Sequence, residues 1–275
     1  ARFVTSLAKV RDGAEINRFQ TPWVATLYKD SKTDSHFCGA AVFSDEYIIT
    51  VAHCLDGFWL PDLRIRVGEH NRDIDDSKHQ DFEIEEAILH PHYHEVFRGD
   101  NDIALIKIKK VSGRGISFNE RVQPICLPKT GTEYQGRSNC TVTGWGKQHY
   151  QGGATSERFS GNIDILAMSV CNNSYRTTRH TSSMVCAAPS SGKLNNPCGG
   201  DSGGPLTCQV GSSTTNTLMG LVSIGARCDL TSRFPDKYTR IEKYLRWILD
   251  NMQNKRVNNA RNSKEFLTGH VILVD

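Results

Sequence analysis

The chain has 275 residues, with 33 lysines and arginines against 30 aspartates and glutamates and a formal net charge of +3. That near balance, with no basic block interleaved with aromatics, argues against a nucleic-acid binder. No apolar run approaches the ~18 residues of a membrane span.

In chain order, strand-length apolar stretches come first: WVATLY (23–28), AAVFS (40–44), YIITVA (47–52), RIRVG (64–68) and DIALIKI (102–108), with LMGLVSIG following at 218–225. Gly, Pro, Asn and Asp clusters separate them, which predicts an all-β chain of the barrel or sandwich kind rather than βαβ units. The length suits one large domain or two small ones. One helix is expected over 241–253, because Ile241, Tyr244, Leu245, Ile248, Leu249 and Met252 recur at a helical period. The segment 256–275 reads as a loose, mostly polar tail. There is no internal repeat. The first residues lack the apolar core of a secretory signal, so an export signal is expected upstream or already removed.

Nine cysteines are dispersed through the chain, at Cys38, Cys54, Cys126, Cys140, Cys171, Cys186, Cys198, Cys208 and Cys228. None falls in a CxxC or Cys–His finger spacing, so structural zinc is not expected. Dispersed cysteines in such a chain point to disulfides and an oxidising compartment. Two glycosylation sequons, at Asn139 and Asn172, fit secretion. Nine is odd, so one thiol is free or reaches outside the chain.

A serine hydroxyl needs a base to become a nucleophile, and the base needs an orienting partner. ITVAHC (49–54) offers His53, DNDIALIKI (100–108) offers Asp102, and GDSGGPL (200–206) offers Ser202, in the order His, Asp, Ser. Each stretch alone is modest evidence; the three together, among these cysteines, are not a chance set.

These stretches, with TPWVATL (21–27), CLP (126–128), CTVTGWG (140–146) and YTRI (238–241), resemble the chymotrypsin-like (trypsin-family) serine proteases from Val10 to about Met252. The resemblance implies two packed six-stranded antiparallel β-barrels, roughly 22–118 and 128–240, with a C-terminal helix and the active site between the barrels. The protease domain would run over 10–255, after an activation segment or linker at 1–9. It implies a serine endopeptidase working through an acyl-enzyme: Ser202 attacks, His53 shuttles the proton, Asp102 holds the histidine, and the N–H groups of Gly200 and Ser202 form the oxyanion hole. Ser223 matches the serine that supports the aspartate.

The resemblance also implies the disulfides Cys38–Cys54, Cys140–Cys208, Cys171–Cys186 and Cys198–Cys228. Cys126 stands where many relatives bond to a propeptide or light chain, so the chain reads as the protease module of a larger secreted precursor. Activation would follow a cut at Lys9–Val10 by a trypsin-like protease, the new amino group of Val10 pairing with Asp201. Arg11 departs from the family there, standing where an apolar residue is usual.

The specificity pocket departs too. Asn196 replaces the aspartate that trypsin carries six residues before the nucleophile, while Asp236 stands on the opposite wall where most relatives have glycine, as in complement factor B-like proteases. A carboxylate there can pair with a substrate Arg or Lys. Gly225 keeps the entrance open, Ile224 stands where tryptophan is common, and Arg227 is placed to neutralise Asp236. The expected function is limited proteolysis of protein substrates after Arg or Lys in an extracellular cascade, with macromolecular inhibitors as further partners. The alternative is a catalytically silent homologue acting as a binding module. No cofactor is expected. HPHYH (90–94) sets His90, His92 and His94 on a surface loop rather than on a metal. GEHNRDIDDSKHQD (68–81) resembles the calcium loop of some relatives, with Glu69 as one ligand and His79 or Asp81 as the far one.

Overall fold

The computed structural model describes residues 14–15, 19–29, 35–74, 77–97, 99–147, 151–153, 155–175, 180–190, 197–211, 214–225 and 235–262, with backbone alone for 14–15 and 254–262. Two closed antiparallel β-barrels of six strands make up its frame. The first runs β2 (Val24–Lys29), β3 (Ser35–Val42), β4 (Tyr47–Thr50), β7 (Ala104–Ile108), β6 (Gln80–Leu89) and β5 (Leu63–Val67), closing where Ala25 faces Val67. The second runs β8 (Cys140–Gly144), β9 (Phe159–Leu166), β10 (Met184–Pro189), β13 (Asp236–Arg240), β12 (Asn216–Ile224) and β11 (Pro205–Gln209), closing where Leu206 faces Val142. A two-residue β1 (Ala14–Glu15) lies on the outside of β9. Closure removes sheet edges and turns alternate side chains inward, which is how short strands bury a core. β9 shows it plainly, every second residue from Phe159 to Ile165 being buried.

The core of the first barrel extends beyond its own strands. Leu218 and Leu221 of β12 join it, as do Ile241, Tyr244, Ile248 and Met252 from the C-terminal helical segment. So the helix that follows the second barrel packs on the first. Residues 109–139 connect the barrels and wrap the first one, with the Ile116, Gln123 and Ile125 N–H groups donating to the carbonyls of Asp45, Pro22 and Val42.

Two departures from the sequence reading concern helices. The helix expected over 241–253 opens as a 3-10 turn, Ile241–Tyr244, then runs on as α2 (Leu245–Asn262), past its expected end and into the tail. A 3-10 opening is common at a helix N-terminus, and no proline or glycine stands before Gly269 to stop the chain. A second helix, α1 (Met168–Ser174), was not anticipated; the disulfide from its buried Cys171 to Cys186 of β10 pins it.

Candidate active site

The site is assembled from turns at the barrel junction. His53 stands in a 3-10 turn, Ala52–Cys54, after β4, and the Cys38–Cys54 disulfide ties this turn to β3. Asp102 lies just before β7 with a side chain only 1 % exposed. Its carboxylate accepts the His53 backbone N–H (2.9 Å), the His53 Nδ1 (2.7 Å) and the Ser223 hydroxyl (2.6 Å), while Thr239 Oγ1 donates to its carbonyl (2.6 Å). An ionised carboxylate only accepts, so Nδ1 carries the proton and Nε2 is left as the basic nitrogen. The His53 side chain is about one-third exposed.

Ser202 sits in a tight turn leading into β11. Gly200 and Gly203 have φ of 99° and 80°, a region costly for other residues. The Gly203 N–H donates to Val222 of β12 (2.7 Å), and the Gly39 N–H of β3 donates to the Ser202 carbonyl (2.7 Å). That carbonyl lies 3.7 Å from the Cys54 sulfur, beside His53. The serine is thus gripped by one strand from each barrel. A side chain at Gly39 would run into the backbone of Gly204, so β3 approaches this turn only because residue 39 is glycine.

Asp201 is buried beneath this turn. Its carboxylate accepts the Gly146 N–H (2.8 Å) and the Cys198 N–H (2.9 Å), and burial, working against those two hydrogen bonds, pushes its pKa up to about 6. Neither Gly144 nor Gly146 leaves room for a Cβ against this carboxylate. His36 Nε2 bonds the Gly200 carbonyl (2.9 Å), with its ring edge-on to Trp145. Burial first, then the charge of Arg72, lowers this histidine to about 4, so it is neutral and donates from Nε2. Sequence reasoning gave no role to His36, Trp145 or Thr239; a lone histidine on a strand carries no signal.

On the pocket side, Asp236 opens β13 and is only 2 % exposed. Its Oδ1 lies 2.5 Å from where a Cβ on Gly225 would stand, so the carboxylate faces the end of β12. The Tyr238 phenol is raised well above its ordinary range by burial first, then by the charges of Asp236 and Asp201. Asn196, Arg227, Cys228, Lys9, Val10 and Arg11 lie outside the described residues.

The expected pairs Cys38–Cys54, Cys140–Cys208 and Cys171–Cys186 are present, and Cys198 is disulfide-bonded. Cys126 is a buried free cysteine whose thiol pKa burial pushes up. Asn139 and Asn172 are exposed. Of the histidines of 90–94, His90 packs on Tyr244, Trp247 and the His92 ring, His92 pairs with Glu95, and His94 stacks on Tyr93. Among the described residues, the one cluster with metal-ligand spacing is Cys38, His53 and Cys54, whose sulfurs are in a disulfide and offer no thiolate.

The trypsin family profile matches residues 10–248. The urokinase-type plasminogen activator of Gallus gallus is 31% identical, the match covering 89% of this chain and 57% of that protein. Coagulation factor XI of Bos taurus is also 31% identical, over 89% of this chain and 38% of its own length. The chain therefore spans about half the length, or less, of these curated relatives.

Proposed function

The chain belongs to the trypsin family of serine proteases, and from that premise we propose that it is an active, secreted endopeptidase that cleaves after Arg or Lys. The observation that carries the catalytic reading is the buried Asp102 carboxylate, held by Ser223 and by both donors of His53. In this reading Ser202 Oγ attacks the scissile carbonyl while His53 Nε2 takes its proton, forming the O–C bond of a tetrahedral intermediate. The C–N bond then breaks and His53 gives the proton to the departing amine. Water, deprotonated by the same nitrogen, releases the acid and restores Ser202. The N–H groups of Gly200 and Ser202 hold the oxyanion. His36 steadies that turn by holding the Gly200 carbonyl.

Asp236 supplies the countercharge for a basic side chain. What supports this is its burial and its orientation toward Gly225, just past the end of β12. A buried carboxylate with a guanidinium is a strong, oriented pair. The cysteines and exposed sequons support an extracellular setting, with protein substrates, an upstream segment reached through Cys126 and an activating cut at Lys9. The test is organophosphonate labelling of the cut chain. Ser202 is expected to be labelled, and Ser202→Ala to lose roughly 10⁴-fold or more of peptide hydrolysis. An unlabelled serine in folded, cut protein would instead mark a non-catalytic homologue.

A further inference from the structure

The stretch 68–81 resembles a calcium loop, and its two candidate acids, Glu69 and Asp81, do not fit one; Asp75 and Asp76 lie outside the described residues. Calcium takes six to eight oxygens at about 2.3–2.6 Å. Here all four carboxylate oxygens of Glu69 and Asp81 receive N–H donors. Glu69 Oε1 accepts its neighbour His70 N–H (2.9 Å) and Oε2 accepts Arg66 Nη1 (3.1 Å). Asp81 Oδ1 and Oδ2 accept Arg66 Nε and Nη2 (2.8 and 3.0 Å). Arg66 thus forks between the two acids, with its guanidinium 5.0 Å from the Tyr28 ring centroid. A dication entering there would meet the fixed positive charge of Arg66, already paired with both acids.

A second arginine reaches the same loop from the other barrel. Arg158, just before β9, is 1 % exposed, a large burial for a charge. Its Nη1 donates to the Glu69 carbonyl (3.2 Å) and its guanidinium lies 5.4 Å from the Trp145 ring centroid. Burial lowers its pKa to about 10, with Glu69 opposing, so the charge persists at neutral pH. Around it the loop is laced to the second barrel. The Arg158 N–H and Trp145 Nε1 both donate to the His70 carbonyl (3.1 Å each), and the Arg72 N–H donates to Ser156 (2.8 Å). Trp145 precedes Gly146, whose N–H holds Asp201, and Asp201 precedes Ser202.

We propose that Arg66 and Arg158 are internal cations that take a metal's place in the loop at 68–81, and that Arg158 is a positioning residue, bracing through Trp145 the Gly146 N–H that holds Asp201. The link to Ser202 rests on the proposed catalytic reading, so the test is read on the fold itself, in the full chain, whether or not it cleaves anything. Two measurements are made. The first is melting temperature in millimolar calcium and in chelator, expected to be the same for the wild type. The second is hydrogen exchange of the Gly146 amide by NMR. Arg158→Leu keeps an apolar contact with Trp145 but loses the tie to Glu69, and is expected to speed this exchange about tenfold or more. Arg158→Lys, which keeps the charge without the planar fork, should fall between; it also serves if the leucine variant does not fold. A calcium-dependent rise in wild-type melting temperature would overturn the metal-free loop. Unchanged Gly146 exchange in the folded variants would overturn the brace.

Discussion

Ser223 donates to Asp102 Oδ2 across 2.6 Å, so a strand of the second barrel completes the hydrogen bonding of a carboxylate that stands at the first. Because that carboxylate is buried, losing a donor leaves an oxygen short of partners. Ser223→Ala is expected to lower kcat about tenfold with little change in KM, read by steady-state kinetics on a peptide substrate. A matching rise in KM with kcat intact would place Ser223 in substrate binding instead.

The second prediction concerns Asp236. Removing its carboxylate by Asp236→Gly should cost arginyl and lysyl peptides roughly 2–5 kcal/mol of transition-state binding, while Asn196→Ala does much less. Gly225→Ala should impair the same substrates, since its new methyl group would press on the Asp236 carboxylate. Peptide-library profiling of the cut enzyme checks all three. A preference for Phe, Leu or Ala before the scissile bond would remove Asp236 from its assigned role.

Asp201 gives a pH prediction. Its folded pKa, about 6, lies above the ordinary 3.8, so the folded chain binds the proton more tightly than the unfolded one. The associated stabilisation is fully present below pH 3.8 and is lost as pH rises through 6. For a chain in which no amino group pairs with this acid, that amounts to about 3 kcal/mol. Urea unfolding of the uncut chain should show stability falling over this window, and Asp201→Asn should flatten it. Cutting at Lys9 should reverse the sign, because a buried ammonium from Val10 would favour the ionised carboxylate. Identical profiles for the cut chain and for uncut Lys9→Gln would exclude such pairing.

Strands such as YIITVA and DIALIKI were legible because a barrel wall buries apolar runs of that length. The three motif stretches were legible because a nucleophile, a base and its support demand fixed residue types. Three features left no such trace. The seven residues of α1 have no side-chain cap and are fastened by a disulfide, which local pattern does not reveal. The run of α2 beyond 253 lacks the apolar face that marked its start. Arg158 lies in the polar stretch ATSERFS and reads as a surface residue, since only the approach of the other barrel's loop makes it buried.

The C-terminal helical segment belongs by chain to one half of the molecule and by packing to the other. Among the described disulfides, Cys38–Cys54 closes within the first half, while Cys140–Cys208 and Cys171–Cys186 close within the second. A nick after the exposed Lys129 would therefore yield two polypeptides joined by none of those three bonds. Ile241, Tyr244, Ile248 and Met252 would still be embedded in the partner fragment, like a clasp closed from the far side. The fold is in this sense suited to fragment complementation, the longer piece carrying its own fastening to the shorter.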